Sequence, residues 1–138
     1  MAEAIGLASG LVTLAAFAFQ ASVALVKTVR SFQVHPKTVR DLAEELEALV
    51  SILGSLSETV SGTDVDLSGL NLPLLRCGKA CQEFEAEIIK CSSRSGGGRT
   101  SFRDWAKIKY MGDDVDGFRQ LVSGYKTTII IALADANL

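Results

Sequence analysis

Apolar residues recur at three- and four-residue steps along most of this chain, the spacing that gathers side chains on one face of an α-helix. After His35-Pro36 the positions Val39, Leu42, Ala43, Leu46, Leu49, Val50, Leu53 and Leu56 keep that spacing, while Asp41, Glu44, Glu45 and Glu47 fill the other face. This predicts an amphipathic helix of about five turns, acidic at its start as the helix dipole favours. Proline disfavours helix at the residue before it and is tolerated in a first turn, so His35-Pro36 marks a break. Ser61 to Gly69 reads as a loop. A third helix is predicted from near Pro73, because Leu70, Leu74, Cys77, Cys81, Phe84, Ile88 and Cys91 alternate steps of four and three, the heptad seam of a bundle.

Ser92 to Thr100 is a Gly/Ser-rich loop, followed by Ser101 as N-cap of a helix carrying Trp105 and Ile108. A break is predicted at Met111-Gly112-Asp113. Asp114 then starts a helix with Val115, Phe118, Leu121, Val122, Tyr125, Ile129 and Ala132 on one face. The β-branched stretch Thr127 to Ile131 lies inside that helical period and does not read as a strand. Apolar character continues to Leu138, which suggests a domain cut from a longer protein. The expected fold is all-α: a single domain over residues 1–138, an antiparallel helical bundle of four to five helices with an apolar N-terminal helix.

That first helix is the most distinctive segment. Ala4 to Val26 contains no charged residue, and Lys27 and Arg30 follow at once. As a helix the run spans about 35 Å, enough to cross a bilayer core. Gly6, Ser9, Gly10, Thr13, Gln20 and Ser22 make it weakly hydrophobic for a membrane span. Three readings stay open: a core helix apolar on all sides because others surround it, a constitutive transmembrane helix, and a helix packed at rest that enters a membrane when released. Ala2, Gly6 and Gly10 form a small-residue stripe that permits close helix packing.

Composition narrows the function. The 138 residues are 48 % hydrophobic and 7 % aromatic, with two prolines and a net charge of -2; mean hydropathy is +0.27. A general nucleic-acid binder would carry a basic excess. The three cysteines, Cys77, Cys81 and Cys91, fall in one segment on the predicted buried seam, unlike a secreted disulfide framework, which implies an intracellular setting. With one histidine, His35, and no C-x-x-C pair, no metal site is expected. Gly96-Gly97-Gly98-Arg99-Thr100 lacks the ending of a phosphate loop, and Asp113, Asp114 and Asp116 lack the spacing of a calcium loop. No cofactor and no catalysis are expected. Lys90, Arg94, Arg99, Arg103, Lys107 and Lys109, opposed by Asp104 alone, form a basic run inside an acidic chain. It reads either as a solvated face or as attraction to anionic lipid head groups, about 1 kcal/mol per basic residue near the surface.

Three segments together carry a family resemblance: Ile5-Gly6-Leu7-Ala8-Ser9-Gly10-Leu11-Val12, then Pro36-Lys37-Thr38-Val39-Arg40-Asp41-Leu42-Ala43-Glu44-Glu45-Leu46, and Gly124-Tyr125-Lys126-Thr127-Thr128-Ile129-Ile130-Ile131-Ala132-Leu133-Ala134. Over nearly the whole chain this resembles the fungal HeLo-like N-terminal domain, the fungal N-terminal domain of STAND (NLR-like) proteins. Such domains look related to the four-helix bundle of the mixed-lineage kinase domain-like protein. The resemblance implies a membrane-targeting effector of regulated cell death, acting by oligomerisation and permeabilisation through the first helix. On that carry-over Ile5, Leu7, Leu11, Val12, Leu14, Phe17 and Phe19 would enter the membrane and Gly6 and Gly10 would pack helices. Lys27, Arg30, Arg94, Arg99 and Arg103 would meet lipid head groups. The implied partners are anionic membrane lipids, further copies of the chain when active, and a C-terminal or upstream signalling module. The implied location is the cytoplasm, with relocation to the plasma membrane on activation. The alternative is a non-lytic adaptor or oligomerisation module at the N-terminus of a STAND receptor.

Overall fold

The computed structural model describes residues 2–31, 37–62, 66–94 and 114–136, with backbone alone at 2–9, 61–62 and 92–94. Among the described residues four long helices carry the fold: α1 (Ala2–Arg30), α2 (Lys37–Gly62), α3 (Asn71–Arg94) and α4 (Val115–Ala136). The predicted helix with Trp105 and Ile108, the break at Met111 and the His35-Pro36 break lie outside the described residues. Of the expected Ser92–Thr100 loop, Ser92 to Arg94 instead continue α3, and the remainder lies outside the described residues.

The expected apolar faces are the ones that meet. Val39, Leu42, Ala43, Leu46, Leu49, Leu53 and Leu56 of α2 are buried, as are Leu70, Leu74, Cys77, Cys81, Phe84 and Ile88 along α3. Cys91, at the end of that seam, is half-buried. Three boundaries differ from expectation. α2 runs through Gly62, longer than five turns, so the expected Ser61–Gly69 loop is shorter. Its first turn holds no acid: Asp41 lies one turn in, where its carboxylate accepts from the Lys37 ammonium at 2.9 Å. A 3-10 turn, Ser68–Leu70, leads directly into Asn71, so α3 starts two residues before Pro73. Pro73 then falls among first-turn residues whose N–H groups have no helical partner to lose.

α4 starts as expected. The Asp114 carboxylate accepts from the Gly117 N–H at 3.0 Å, and its carbonyl accepts from the Phe118 N–H at 3.0 Å, a capping arrangement. Val115, Phe118, Val122 and Ile129 form its buried line. Leu121, expected on that line, is exposed, because it stands one residue off the 118–122–129 track and turns toward the edge. The β-branched stretch is helical, and the Thr127 and Thr128 hydroxyls donate to the Ser123 and Gly124 carbonyls of their own helix.

Paired residues give the helix directions. Between α1 and α2, Arg30 meets Glu47 and Phe19 faces Gly54, so numbers fall on one helix as they rise on the other. Between α1 and α3, Phe17 meets Gly78, Ser22 meets Cys81 and Thr28 meets Glu85, so these two run parallel. Phe84 stacks on Phe118 (centroids 4.0 Å apart, planes 7° apart), while Leu70 shares a groove with Ile131, so α3 and α4 are antiparallel. The result is an up-down-up-down bundle in which α1 packs on α2 and α3, and α4 packs chiefly on α2.

One cross-helix contact has no periodic signature. The Lys126 ammonium of α4 lies 2.5 Å from Oε2 of Glu45 on α2, and both side chains are mostly buried. Removing one member leaves the other desolvated and unpaired. Lys126→Met keeps the aliphatic stem and removes the charge. It is expected to lower stability by about 1–3 kcal/mol in urea unfolding.

Candidate functional site

The candidate site is α1 and the cradle that holds it. Leu11, Ala15, Ala18, Ser22, Leu25 and Val29 follow steps of four and three and form its buried line. Their small size at 15, 18 and 22 lets α2 and α3 approach closely. The opposite side is open: Val12 is 43 % exposed, and Thr13, Gln20 and Lys27 are exposed. Gly10–Arg30 is long and apolar enough to cross a membrane, yet only 33 % of its apolar window is buried. The expectation of a helix apolar on all sides because it is surrounded is therefore corrected. α2 and α3 cover one flank of α1, and α4 lies on the far side of them.

Polar contacts along α1 are few and sit at defined levels. Ser22 is buried, and its hydroxyl donates to the Ala18 carbonyl of its own helix at 2.8 Å. Having given its proton there, the hydroxyl accepts from the Cys81 thiol, 3.7 Å away. Cys77 in turn donates to Cys81; that bond first, and burial second, push the Cys77 thiol above its usual range. These thiols are not disulfide-bonded and behave as packing groups and weak donors, because a thiolate is the reactive form. Near the end of α1 the Thr28 hydroxyl donates to the Glu85 carboxylate, and Arg30 Nε donates to Glu47 Oε1 at 2.7 Å. Among the described residues no group of three or more His, Cys, Asp or Glu could hold a metal ion.

A four-helix fold with this N-terminal helix agrees with the comparison against known families. Residues 2–138 match the family described as "Pigment biosynthesis cluster protein PigL N-terminal". The chain belongs to the PigL N-terminal domain family. This is a HeLo-like helical domain family. No curated protein and no solved structure matches the chain.

In this PigL N-terminal domain the expected membrane-entering residues divide by position. Leu11 points into the core, Val12 points outward, and Leu14, Phe17 and Phe19 are half-buried against the neighbouring helices. Ile5, Gly6 and Leu7 lie on α1, and their side chains are outside the described residues. Gly10 has open space around the position a Cβ would take, so no helix packs closely on it within the bundle. Among the expected head-group residues Lys27 and Arg30 are exposed, and Arg30 also lines a recess of about 120 Å³ with Arg40, Ala43 and Glu44. Arg94 ends α3 with its side chain outside the described residues; Arg99 and Arg103 lie wholly outside them.

The sequence reading missed Gly78. A Cβ there would stand 2.6 Å from Phe17 Cδ2 and closer still to Cε2, so the Phe17 ring occupies the space that any other residue would need. The available signal was an isolated glycine between Cys77 and Cys81, inside a helical period, where it carries a propensity penalty of about 1 kcal/mol relative to alanine.

Proposed function

We propose that this HeLo-like domain is a membrane-targeting cell-death effector of a fungal immune-like signalling protein. It resides in the cytoplasm and relocates to the plasma membrane when activated. It works by association with lipid and with copies of itself, not by catalysis, and α1 is the segment that enters the membrane. The observation that carries this reading is that α1 is long and apolar enough to span a bilayer while two helices cover only one of its flanks. Its one buried polar side chain among the described residues, Ser22, is satisfied inside α1 itself, so that hydroxyl would enter lipid with its partner. Thr28, whose partner is on α3, sits at the Lys27–Arg30 end, where a membrane boundary with anionic head groups would lie.

The energetics allow the transfer. Each large apolar side chain leaving the core gives up about 1.5–3 kcal/mol, which the bilayer restores. Turning a 1:99 population into 99:1 takes about 5.5 kcal/mol of differential binding.

Dye release from anionic liposomes tests the reading. The structure advises charges at the outward positions, because Leu11 is a core residue. The parent chain is expected to cause leakage. Val12→Lys with Gln20→Lys, still helical and cooperatively folded, is expected to cause none.

A second reading keeps α1 in place: a non-lytic adaptor or oligomerisation module. The observation favouring it is that Ala15, Ala18, Leu25 and Val29 are fully enclosed by the bundle. No leakage from the parent, even when it is forced to oligomerise, would make this the better account.

A further inference from the structure

The pole of the bundle where α2 and α4 end and α3 begins is apolar and acidic at once. A groove of about 450 Å³ opens there between the 3-10 turn and the last turns of α4. Leu67, Leu70, Ile131 and Ala132 give its apolar lining, and Asp66 and Asp135 also line it. Ile131 is 56 % exposed, a large apolar side chain left in water. Ile130, the residue before it, and Leu72, on the first turn of α3, are exposed as well.

Both carboxylates stand without a cation. The Asp66 carboxylate accepts from the Ser68 N–H at 3.0 Å. That bond first, and one from the Ser68 side chain second, hold its carboxyl below the usual carboxylate range, so it is ionised at neutral pH. Among the described residues neither Asp66 nor Asp135 is in an ion pair. No lysine or arginine occurs before Lys27, between Arg40 and Arg76, or after Lys126. Of the cations on adjoining turns, Lys126 is held by Glu45, and Arg76 stands on the second turn of α3, where its charge acts on Tyr125.

We propose that this groove docks a basic amphipathic helix of a partner protein, whose large apolar side chains cover Ile131 and whose lysines or arginines meet Asp66 and Asp135. Charge complementarity sets the sign of the partner. A second copy's groove brought face to face would set carboxylates against carboxylates, and anionic head groups would be repelled by them. The mode is helix in groove, because the described residues form no strand edge that an extended peptide could join. Leu72 and Ile130 lie outside the groove's lining, and a small organic cation would leave them in water where a polypeptide covers them. The inference goes beyond the proposed function. It concerns the pole opposite Lys27 and Arg30, and its test contains no lipid.

The experiment is calorimetric titration with a synthetic amphipathic leucine–lysine helix, with a leucine–glutamate helix of the same pattern as control. The lysine peptide is expected to saturate a single site and to shift the amide NMR signals of residues 67–70 and 128–136; the glutamate peptide is expected not to bind. Asp66→Asn with Asp135→Asn keeps an acceptor for Ser68 and should weaken binding about 5-fold or more. Ile131→Gln should weaken it about 10-fold. Glu44→Gln with Glu87→Gln removes the same charge toward the opposite pole and should change it less than about 2-fold. None of these positions is buried, and circular dichroism verifies that each variant folds. Equal losses in the two neutralised variants would reduce the effect to net charge and overturn the proposal. Absence of binding, signals that shift elsewhere, or equal binding of the glutamate peptide also overturns it. Hexylammonium bound as tightly as the peptide overturns it in favour of a small organic cation.

Discussion

Gly78→Leu is expected to push α1 away from α3, lowering stability by about 1–3 kcal/mol in urea unfolding and raising liposome leakage above that of the parent. Even a methyl group at this position would overlap the Phe17 ring, and a leucine would fill the whole seat. Gly78 is buried on α3 and Phe17 half-buried on α1, so the ring has to swing outward or the helices have to separate. Gly78→Ala is expected to be close to neutral, because a gain of about 1 kcal/mol in helix propensity offsets the smaller overlap. A double-mutant cycle locates the effect. Phe17→Ala vacates the seat, so adding it to Gly78→Leu should recover much of the lost stability. Additive losses would show that Phe17 is not what the leucine displaces. Unchanged leakage from a destabilised Gly78→Leu would separate α1 docking from membrane entry and favour the adaptor reading.

Phe84→Ala carries the largest expected stability loss, about 3–5 kcal/mol. Phe84 and Phe118 are both fully buried and stacked at 4.0 Å, a pairing that adds about 0.5–1.5 kcal/mol beyond area burial. α4 packs on α2 along much of its length but meets α3 over a shorter contact, of which this stack is a part. Deleting one ring therefore leaves a cavity at the joint that closes the bundle. Unfolding should shift to markedly lower urea with the slope little changed; a loss under about 1 kcal/mol would show that α2 alone holds α4.

Much of the fold was legible because it is written within single helices. Leu42, Leu46, Leu49 and Leu53 alternate with charged neighbours, and the seam from Leu70 to Ile88 repeats as a heptad. Asp114 announces α4 because a capping carboxylate needs only its own next turn. The first helix was legible as apolar but not as one-sided. Its buried line from Leu11 to Val29 mixes leucine and valine with alanine and serine, and Val12, Phe17, Val23 and Val26 lie outside it, so only Thr13, Gln20 and Lys27 mark the outer face. The contacts that settle its place, Phe17 in Gly78 and Ser22 on Cys81, join residues about sixty apart, and no local period encodes such a pairing. The same holds for Lys126 on Glu45: the sequence assigned Glu45 to a solvated acidic face, while the fold sets a cation from another helix against it. Leu121 failed for a simpler reason, since one residue of rotation moves a side chain by about 100° around the axis.

The order in which the helices touch bears on how fast α1 could leave. Among the described residues α2 and α3 make little direct contact, and both pack against the covered flank of α1. Withdrawing α1 uncovers the inner faces of both at once, and they must close on each other before water is excluded again. Such a departure would be no hinge motion but a partial unfolding, with an activation enthalpy to match. Such a domain would behave as a timer: slow and steady at the growth temperature, and hastened about 3- to 6-fold for every 10 °C of warming.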